Sequence, residues 1–429
     1  MTTQPWMERL LAAGSRPRII LGLMSGTSLD GLDMALCHVT GHGPATSIKV
    51  EKFKSVAYQA DEKARLIALA FREQVSLADL TVANVWLADL HGRLILAALQ
   101  EWGMDPAEVD CIASHGQTLF HAPSGWTDDQ GERHATLQIG DGDHLARATG
   151  ILTLSDFRQK EIAAGGQGAP LAPYAEALIY SGENPRLLLN LGGIANFTWL
   201  PAKGSVGNEI HFGDTGPANT LMDRTVREYF PRQSKGYDPG GELAAQGEVH
   251  PGLLAAFKSH PYFSLPCPKS TGPETFGENF LKEGLAKAGI KQITGDHTPS
   301  AGTMLNGFDL LATLCRLTAD SVVETLGREL PQITDMSQGE WEVVVSGGGS
   351  ENITLMRQLR EALPQGKWPP LEMVSDPLGI TPESKEAVLF AVLANESLWG
   401  EGVRPLHQKT GKLAHSKKPM RLGKLSWPE

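Results

Sequence analysis

The chain is poor in the residues that would mark a metal cluster or a disulfide scaffold. Its 429 residues include four cysteines, Cys37, Cys111, Cys267 and Cys315. None stands in a CxxC pair, so a zinc site and a disulfide framework both lack their basis. Cys37 and Cys111 lie in apolar, strand-like runs and are expected as buried thiols. Positive charge is also scarce, with a formal net charge of −11. An acidic surface speaks against a nucleic-acid groove, which needs clustered lysine and arginine. The chain has neither a GxxxxGK[ST] phosphate loop nor a GxGxxG dinucleotide fingerprint. No apolar run is long enough for a bilayer span, and the N-terminus lacks the features of a secretory signal. These absences predict a reducing, cytoplasmic home with no membrane or nucleic-acid partner. The one basic stretch, "HQKTGKLAHSKKPMRLGK", reads as a solvated tail or lobe edge.

Hydrophobic residues make up 41% of the chain. At this length one core is insufficient, and two lobes are expected. Two stretches rhyme, "RPRIILGLMSGTSLDGLDMALCHV" and "NPRLLLNLGGIANFTWLPA". Each has a Pro-Arg lead, an apolar strand, a Gly-rich polar turn and a second strand. Their spacing of about 170 residues points to two β-hairpins in two domains of similar plan. Between and after them, "DEKARLIALAFREQ", "ANVWLADLHGRLILAALQEWG", "APLAPYAEALIY", "PANTLMDRTVREYF" and "FDLLATLCRLTADSVVETLGREL" carry apolar residues at helical spacing. "EVDCIASHGQTLF" reads as a buried strand ending in a polar loop. "SKEAVLFAVLANESLWG" is apolar on most faces and is expected as a helix buried between layers. The mixture predicts an α/β or α+β protein in two lobes.

The chemistry concentrates in the turns. "MSGTSLDG" offers glycines for close backbone approach and the hydroxyls of Ser25, Thr27 and Ser28 as phosphate donors. Asp30 and Asp33 repel phosphate unless a divalent cation or its water lies between. The alternative is a hairpin turn in which aspartate caps backbone amides. "VVVSGGGSEN" suits the flat contact of a nucleotide with backbone, and equally a tight strand-to-helix turn. In "HFGDTGPANTLMD", Asp214 stands in a glycine turn before a helix, placed as a general base or as a dipole-matching carboxylate. "SHGQT", "DFRQKEIAAGGQGAPL" and "PKSTGPETF" are polar clusters suited to a polyhydroxylated ligand with an anionic group. Arg158 fits a bidentate carboxylate contact, or an ion pair with Asp156 or Glu161. His115 reads as a hydrogen-bonding loop residue.

Taken together, these stretches resemble the anhydro-N-acetylmuramic acid kinase family from about Leu21 to Lys424. "GLMSGTSLDGLDMAL", "IASHGQT", "LQIGDGDHLARATGI", "DFRQKEIAAGGQGAPLAP", "NLGGIANFT", "DTGPANTLMD", "PKSTG", "SGGGSEN" and "LGITPESKEAVLFAVLAN" occur in the family's order. The resemblance implies a two-lobed, actin-like (ribonuclease H-like) ATPase fold with a central interlobe cleft. Residues 1–180 with 384–429 would form the first lobe, and 181–383 the second. Gly26, Thr27, Ser28, Leu29, Asp30, Gly31, Leu32 and Asp33 would form the first phosphate loop. Asn190, Gly192, Gly193 and Asn196 would serve the nucleotide from the second hairpin, and Gly347, Gly348 and Gly349 would lie near the adenosine.

The implied reaction uses ATP and Mg²⁺ to phosphorylate O6 of 1,6-anhydro-N-acetylmuramic acid while water opens the anhydro bridge. The product is N-acetylmuramic acid 6-phosphate, a step of cell-wall recycling. Asp214 matches the family's catalytic base. His115, Gln117, Thr118, Arg158 and Gln167 match the sugar side, with Arg158 as partner of the lactyl carboxylate. A homodimer is a family-level expectation. The sequence departs from the usual motifs at Gly213, Ala218, Glu161 and Pro273, which bears on sugar preference. Two other readings stand beside this one. The first is a kinase of another anhydro sugar, such as levoglucosan. The second is a non-catalytic nucleotide sensor, against which the Asp214 motif argues, since a sensor needs no base.

Overall fold

The computed structural model describes residues 7, 10, 16–26, 28–128, 131–203, 210–232, 236–267, 269–272, 275–296, 298–333, 341–363, 378–403, 406–407, 412–413 and 418–428. Thr27 and Pro273 lie outside the described residues, as does much of the basic C-terminal stretch. The chain divides into two compact units. One comprises Met1–Ser181, Pro377–Gln408 and Leu413–Glu429, and the other Gly182–Asp376 with Lys409–Lys412.

The first unit is built on a mixed sheet. Strands β1 (Arg18–Ser25), β2 (Gly31–Thr40) and β3 (Ser47–Ala57) form an antiparallel meander. Strand β4 (Cys111–Asp128) runs parallel to β1, and β6 (Thr153–Ser155) runs parallel to β4. Strand β5 (Gly131–Ile139) folds back on β4, and Lys424–Ser426 closes the far edge against β6. The order β3-β2-β1-β4-β6, antiparallel then parallel, fits the ribonuclease H-like fold that the resemblance implies.

One face of this sheet is covered by the helix Lys385–Trp399. It packs so closely on β1 that a Cβ added at Gly22 would lie 1.9 Å from the Ala387 carbonyl oxygen. Ala387, Val388, Ala391, Val392 and Ala394 of this helix are buried, which is why it reads as apolar on most faces. The helix Leu77–Trp102 supplies Leu87, Leu90, Ile95 and Leu99 to the core of the same unit. Ser76 Oγ caps its first turn by accepting from the Asp79 amide, and Gly103 ends it in the left-handed conformation. By length and composition this helix could cross a membrane, contrary to the sequence expectation that no segment could, but half of its apolar window is buried inside the protein.

The second unit repeats part of the plan. Strands β7 (Arg186–Leu191), β8 (Ile194–Leu200) and β9 (His211–Pro217) form a meander, and β10 (Glu342–Ser346) lies parallel to β7. The order β10-β7-β8-β9 thus mirrors β4-β1-β2-β3. The rhyming sequences are the equivalent hairpins β1–β2 and β7–β8. The helix Gly307–Ile333 crosses this unit and buries Leu310, Leu311, Leu314, Cys315, Leu317, Val322 and Leu326.

Candidate functional site

In the first unit, β1 ends at Ser25 and the chain turns before β2 begins at Gly31. The Leu29 amide donates to the Gly26 carbonyl at 3.2 Å, and Ser28 Oγ donates to Asp30 Oδ1 at 2.7 Å. Leu29 adopts a positive φ of 55°. Its side chain and that of Leu32 enter the core, so only their backbone is available to a ligand. Asp33, paired in register with Met24, is half-buried. Burial raises its pKa, reinforced by Asp30 and Glu383 and opposed by a hydrogen bond from Ser55.

The SHGQT residues lie within β4 rather than in a loop after it. Their alternation therefore sends neighbouring side chains to opposite faces. Gln117 is fully buried; its Oε1 accepts from Ser25 Oγ at 2.6 Å and its Nε2 donates to the Gly26 carbonyl at 3.1 Å. Thr118 is buried and accepts from Gln138 Nε2 at 3.1 Å. His115 is buried too, and accepts from Arg158 Nε at 2.9 Å. Burial and the neighbouring guanidinium push its pKa down to about 3, so the ring is neutral.

Arg158 sits on the short helix Phe157–Ala163. It also donates from Nη1 to the Gly168 carbonyl at 2.8 Å, while Asp156 pairs with Lys424 at 2.5 Å. The arginine is thus held by His115 and the glycine loop, and Asp156 turns elsewhere. Burial lowers its pKa to about 10, opposed by Glu386 and Glu161. The loop itself is pinned by Glu161, whose carboxylate accepts from the Gly168 amide at 2.6 Å and from Tyr174 OH at 3.2 Å. Gly166 is required there, because a Cβ would fall 1.7 Å from Glu161 Oε1. Gln167 lies in this loop, half-buried. A cavity of about 320 Å³ opens beside His115, lined also by Ser114, Asp141, Ser155, Asp156 and Lys424. Its Asp141 caps the helix Gly142–Thr149, accepting from the amides of Asp143 and His144.

In the second unit, Asp214 lies on β9, not in a turn, and faces Asn196 across the β8–β9 pairing. A register shift at this point bends the strand locally. The Thr271 amide donates to Asp214 Oδ2 at 2.8 Å, and the Asp214 amide donates to the Lys269 carbonyl at 2.9 Å. Tyr262 OH donates to the Asp214 carbonyl at 3.0 Å. The Lys269 ammonium lies 4.3 Å from the centre of the Tyr262 ring and donates to the Tyr262 carbonyl at 3.2 Å. Burial lowers the Lys269 pKa. Gly213 leaves room for Cys267, whose Sγ would lie 2.8 Å from an added Cβ. Lys269 and Thr271 therefore form the wall that orients the carboxylate. Tyr262, which carries no motif in the sequence, completes that wall.

The glycines of the β7–β8 hairpin have a structural duty. The Gly193 carbonyl accepts from the amides of Ala218 and Thr220, and the Gly192 carbonyl from Asn219. They cap the helix Asn219–Tyr229. Asn190, at the end of β7, accepts a long 3.5 Å contact from Ser346 Oγ. Of the three glycines after β10, Gly347 has φ of 83° and Gly349 packs on Leu191. Only Gly348 is exposed.

A sequence profile described as anhydro-N-acetylmuramic acid kinase matches residues 18–425. The chain belongs to the anhydro-N-acetylmuramic acid kinase family. A relative of that name from Pseudoalteromonas atlantica is 40% identical over 421 residues, covering 97% of this chain and 98% of the relative. Another, from Caldanaerobacter subterraneus subsp. tengcongensis, is 35% identical over 423 residues, covering 98% of this chain and 100% of the relative. A solved ROK family glucokinase from Streptomyces griseus is 13% identical, covers 87% of this chain and 98% of its own, and has a TM-score of 0.33. As a member of the anhydro-N-acetylmuramic acid kinase family, the chain is an ATP-using sugar kinase.

Proposed function

We propose that this kinase transfers the γ-phosphoryl group of ATP to O6 of 1,6-anhydro-N-acetylmuramic acid while water adds to C1. The products are N-acetylmuramic acid 6-phosphate and ADP, a cytoplasmic step in recycling cell-wall sugar. The observation that carries this reading is family membership across residues 18–425 with the DTGP aspartate retained.

Asp214 is the proposed base. It accepts a proton from the water as that water attacks C1, and the C1–O6 bond breaks. The freed O6 then attacks the γ-phosphorus and ADP leaves, so ring opening unmasks the phosphate acceptor. The Thr271 amide holds Asp214 Oδ2 and so orients the carboxylate that would take the proton. The Gly26–Asp33 turn is the proposed phosphate-binding element, with the β7–β8 hairpin and Gly348 as further nucleotide contacts. Arg158, held by His115, is the proposed partner of the lactyl carboxylate, with Gln167 beside it.

Asp30, in the turn, and Asp33, on β2 and close enough to feel the Asp30 charge, carry oxygen donors of the kind that hold hydrated Mg²⁺. Two carboxylates leave most of a cation's coordination to water and the nucleotide's phosphates. Bound there, Mg²⁺ would neutralise phosphate charge.

ADP release from Mg-ATP tests the reading, with 1,6-anhydro-N-acetylmuramic acid, levoglucosan and open-ring N-acetylmuramic acid run in parallel. Release with the anhydro muramic sugar alone, with a 6-phosphate product, is expected. Release with levoglucosan instead would move the substrate to plain anhydro sugars. Homodimerisation is a further proposal, checked by light scattering.

A further inference from the structure

Behind the Gly26–Asp33 turn lie four buried side chains in a row: His91, Tyr58, Ser25 and Gln117. His91 Nε2 is 2.8 Å from Tyr58 OH, Tyr58 OH is 2.8 Å from Ser25 Oγ, and Ser25 Oγ is 2.6 Å from Gln117 Oε1. Gln117 Nε2 lies 3.1 Å from the Gly26 carbonyl and 3.3 Å from that of Thr118. The same tyrosine also holds the far end of the turn, its amide donating to the Asp30 carbonyl at 2.9 Å.

Counting hydrogens gives the row a direction. Carbonyl oxygens only accept, so the Gln117 nitrogen faces Gly26 and Thr118, and its oxygen faces Ser25. That oxygen and the Gly31 carbonyl, which Ser25 Oγ meets at 3.1 Å, can only accept, so Ser25 spends its single hydrogen on these two oxygens. The Ser25–Tyr58 contact then requires the phenolic hydrogen. None remains for His91, so the imidazole must donate from Nε2. Burial drives the His91 pKa down to about 3, which leaves a neutral ring with one hydrogen to place.

We propose that His91, Tyr58, Ser25 and Gln117 form a one-way hydrogen-bond chain that fixes the Gly26 carbonyl and with it the shape of the phosphate turn. Tyr58 and Gln117 are then positioning residues for the nucleotide. Gln117, expected from the motif on the sugar side, acts from behind the turn. This inference rests on the reading of that turn as phosphate-binding.

Two measurements on the full-length protein test it. Long-range ¹H–¹⁵N NMR of histidine-labelled protein, assigned with His91→Gln, should show His91 as the Nε2–H tautomer. It should not titrate where an ordinary histidine does. An Nδ1–H tautomer, or titration in that range, overturns the chain. Tyr58→Phe should raise the KM for Mg-ATP about tenfold, the size of one buried hydrogen bond, with the sugar KM near the parent value and a lowered melting temperature because the His91 donor loses its acceptor. Asp33→Asn, which leaves the chain intact, serves as the control on the turn itself. Unchanged ATP binding in Tyr58→Phe alone overturns the positioning role, whereas unchanged binding in both variants overturns the phosphate reading.

Discussion

The amide of Thr271 donates to Asp214 Oδ2 at 2.8 Å, across 57 positions of sequence. This bond orients the proposed base from a separate segment, and the Lys269 carbonyl fixes the same residue's amide.

Asp214→Asn keeps the shape and one acceptor oxygen but loses the proton acceptor. Turnover should fall by about 100-fold to 10,000-fold, the usual contribution of a general base. Nucleotide binding, followed by calorimetry, should persist. Turnover near the parent value would remove Asp214 as base.

Gly347 and Gly348 should respond differently to alanine. Gly347 has φ of 83°, and a Cβ there would meet the Leu191 carbonyl carbon at 2.6 Å. Gly347→Ala should cost about 1–3 kcal/mol or more. Gly348 is open, with only Asn219 Nδ2 at 3.9 Å from an added Cβ, so Gly348→Ala should stay within about 0.5 kcal/mol. Thermal melts of both variants make the comparison, and equal shifts would contradict the packing argument.

Lys385 and Glu176 form a buried ion pair at 2.8 Å, with side chains 11% and 6% exposed. It ties the helix Lys385–Trp399 to the helix Ala172–Tyr180 within the first unit. Lys385→Met leaves a carboxylate buried and should destabilise by about 3–5 kcal/mol, while adding Glu176→Leu should recover much of the loss. Denaturant unfolding of the single and double variants measures this. A double variant no more stable than the single one would contradict it.

Asp223 offers a pH signature. Burial raises its pKa from 3.8 to about 6, reinforced by Asp238 and opposed by Arg227. The folded state therefore holds a proton that the unfolded chain releases between those values. Stability contributed by this group falls as pH rises through that window and is level above it. Asp223→Asn should flatten this part of the curve of melting temperature against pH. An unchanged slope would show that the group titrates normally.

Much of the plan was legible in the chain itself. Helical periodicity marked the helices Leu77–Trp102, Gly307–Ile333 and Lys385–Trp399. The two Pro-Arg hairpins announced the repeated meander because their turn residues interrupt strands at matching places. Motif order led to the family. Local errors arose where tertiary pairing overrides a local signal. Asp214 and the SHGQT residues look like turn residues, yet β9 and β4 continue through them because neighbouring strands supply their hydrogen-bond partners.

By itself, then, the sequence determined the family, the α/β class, the twin hairpins and the apolar faces, all of which follow from short-range pattern. Only the tertiary structure decided which polar side chains are spent internally. Gln117 is buried behind a turn 91 positions away, Arg158 is held by His115, and Asp214 is oriented by Thr271. The physical reason is the same in each case. A buried polar group must find a partner, and that partner is set by which strands pair in space, not by neighbours along the chain.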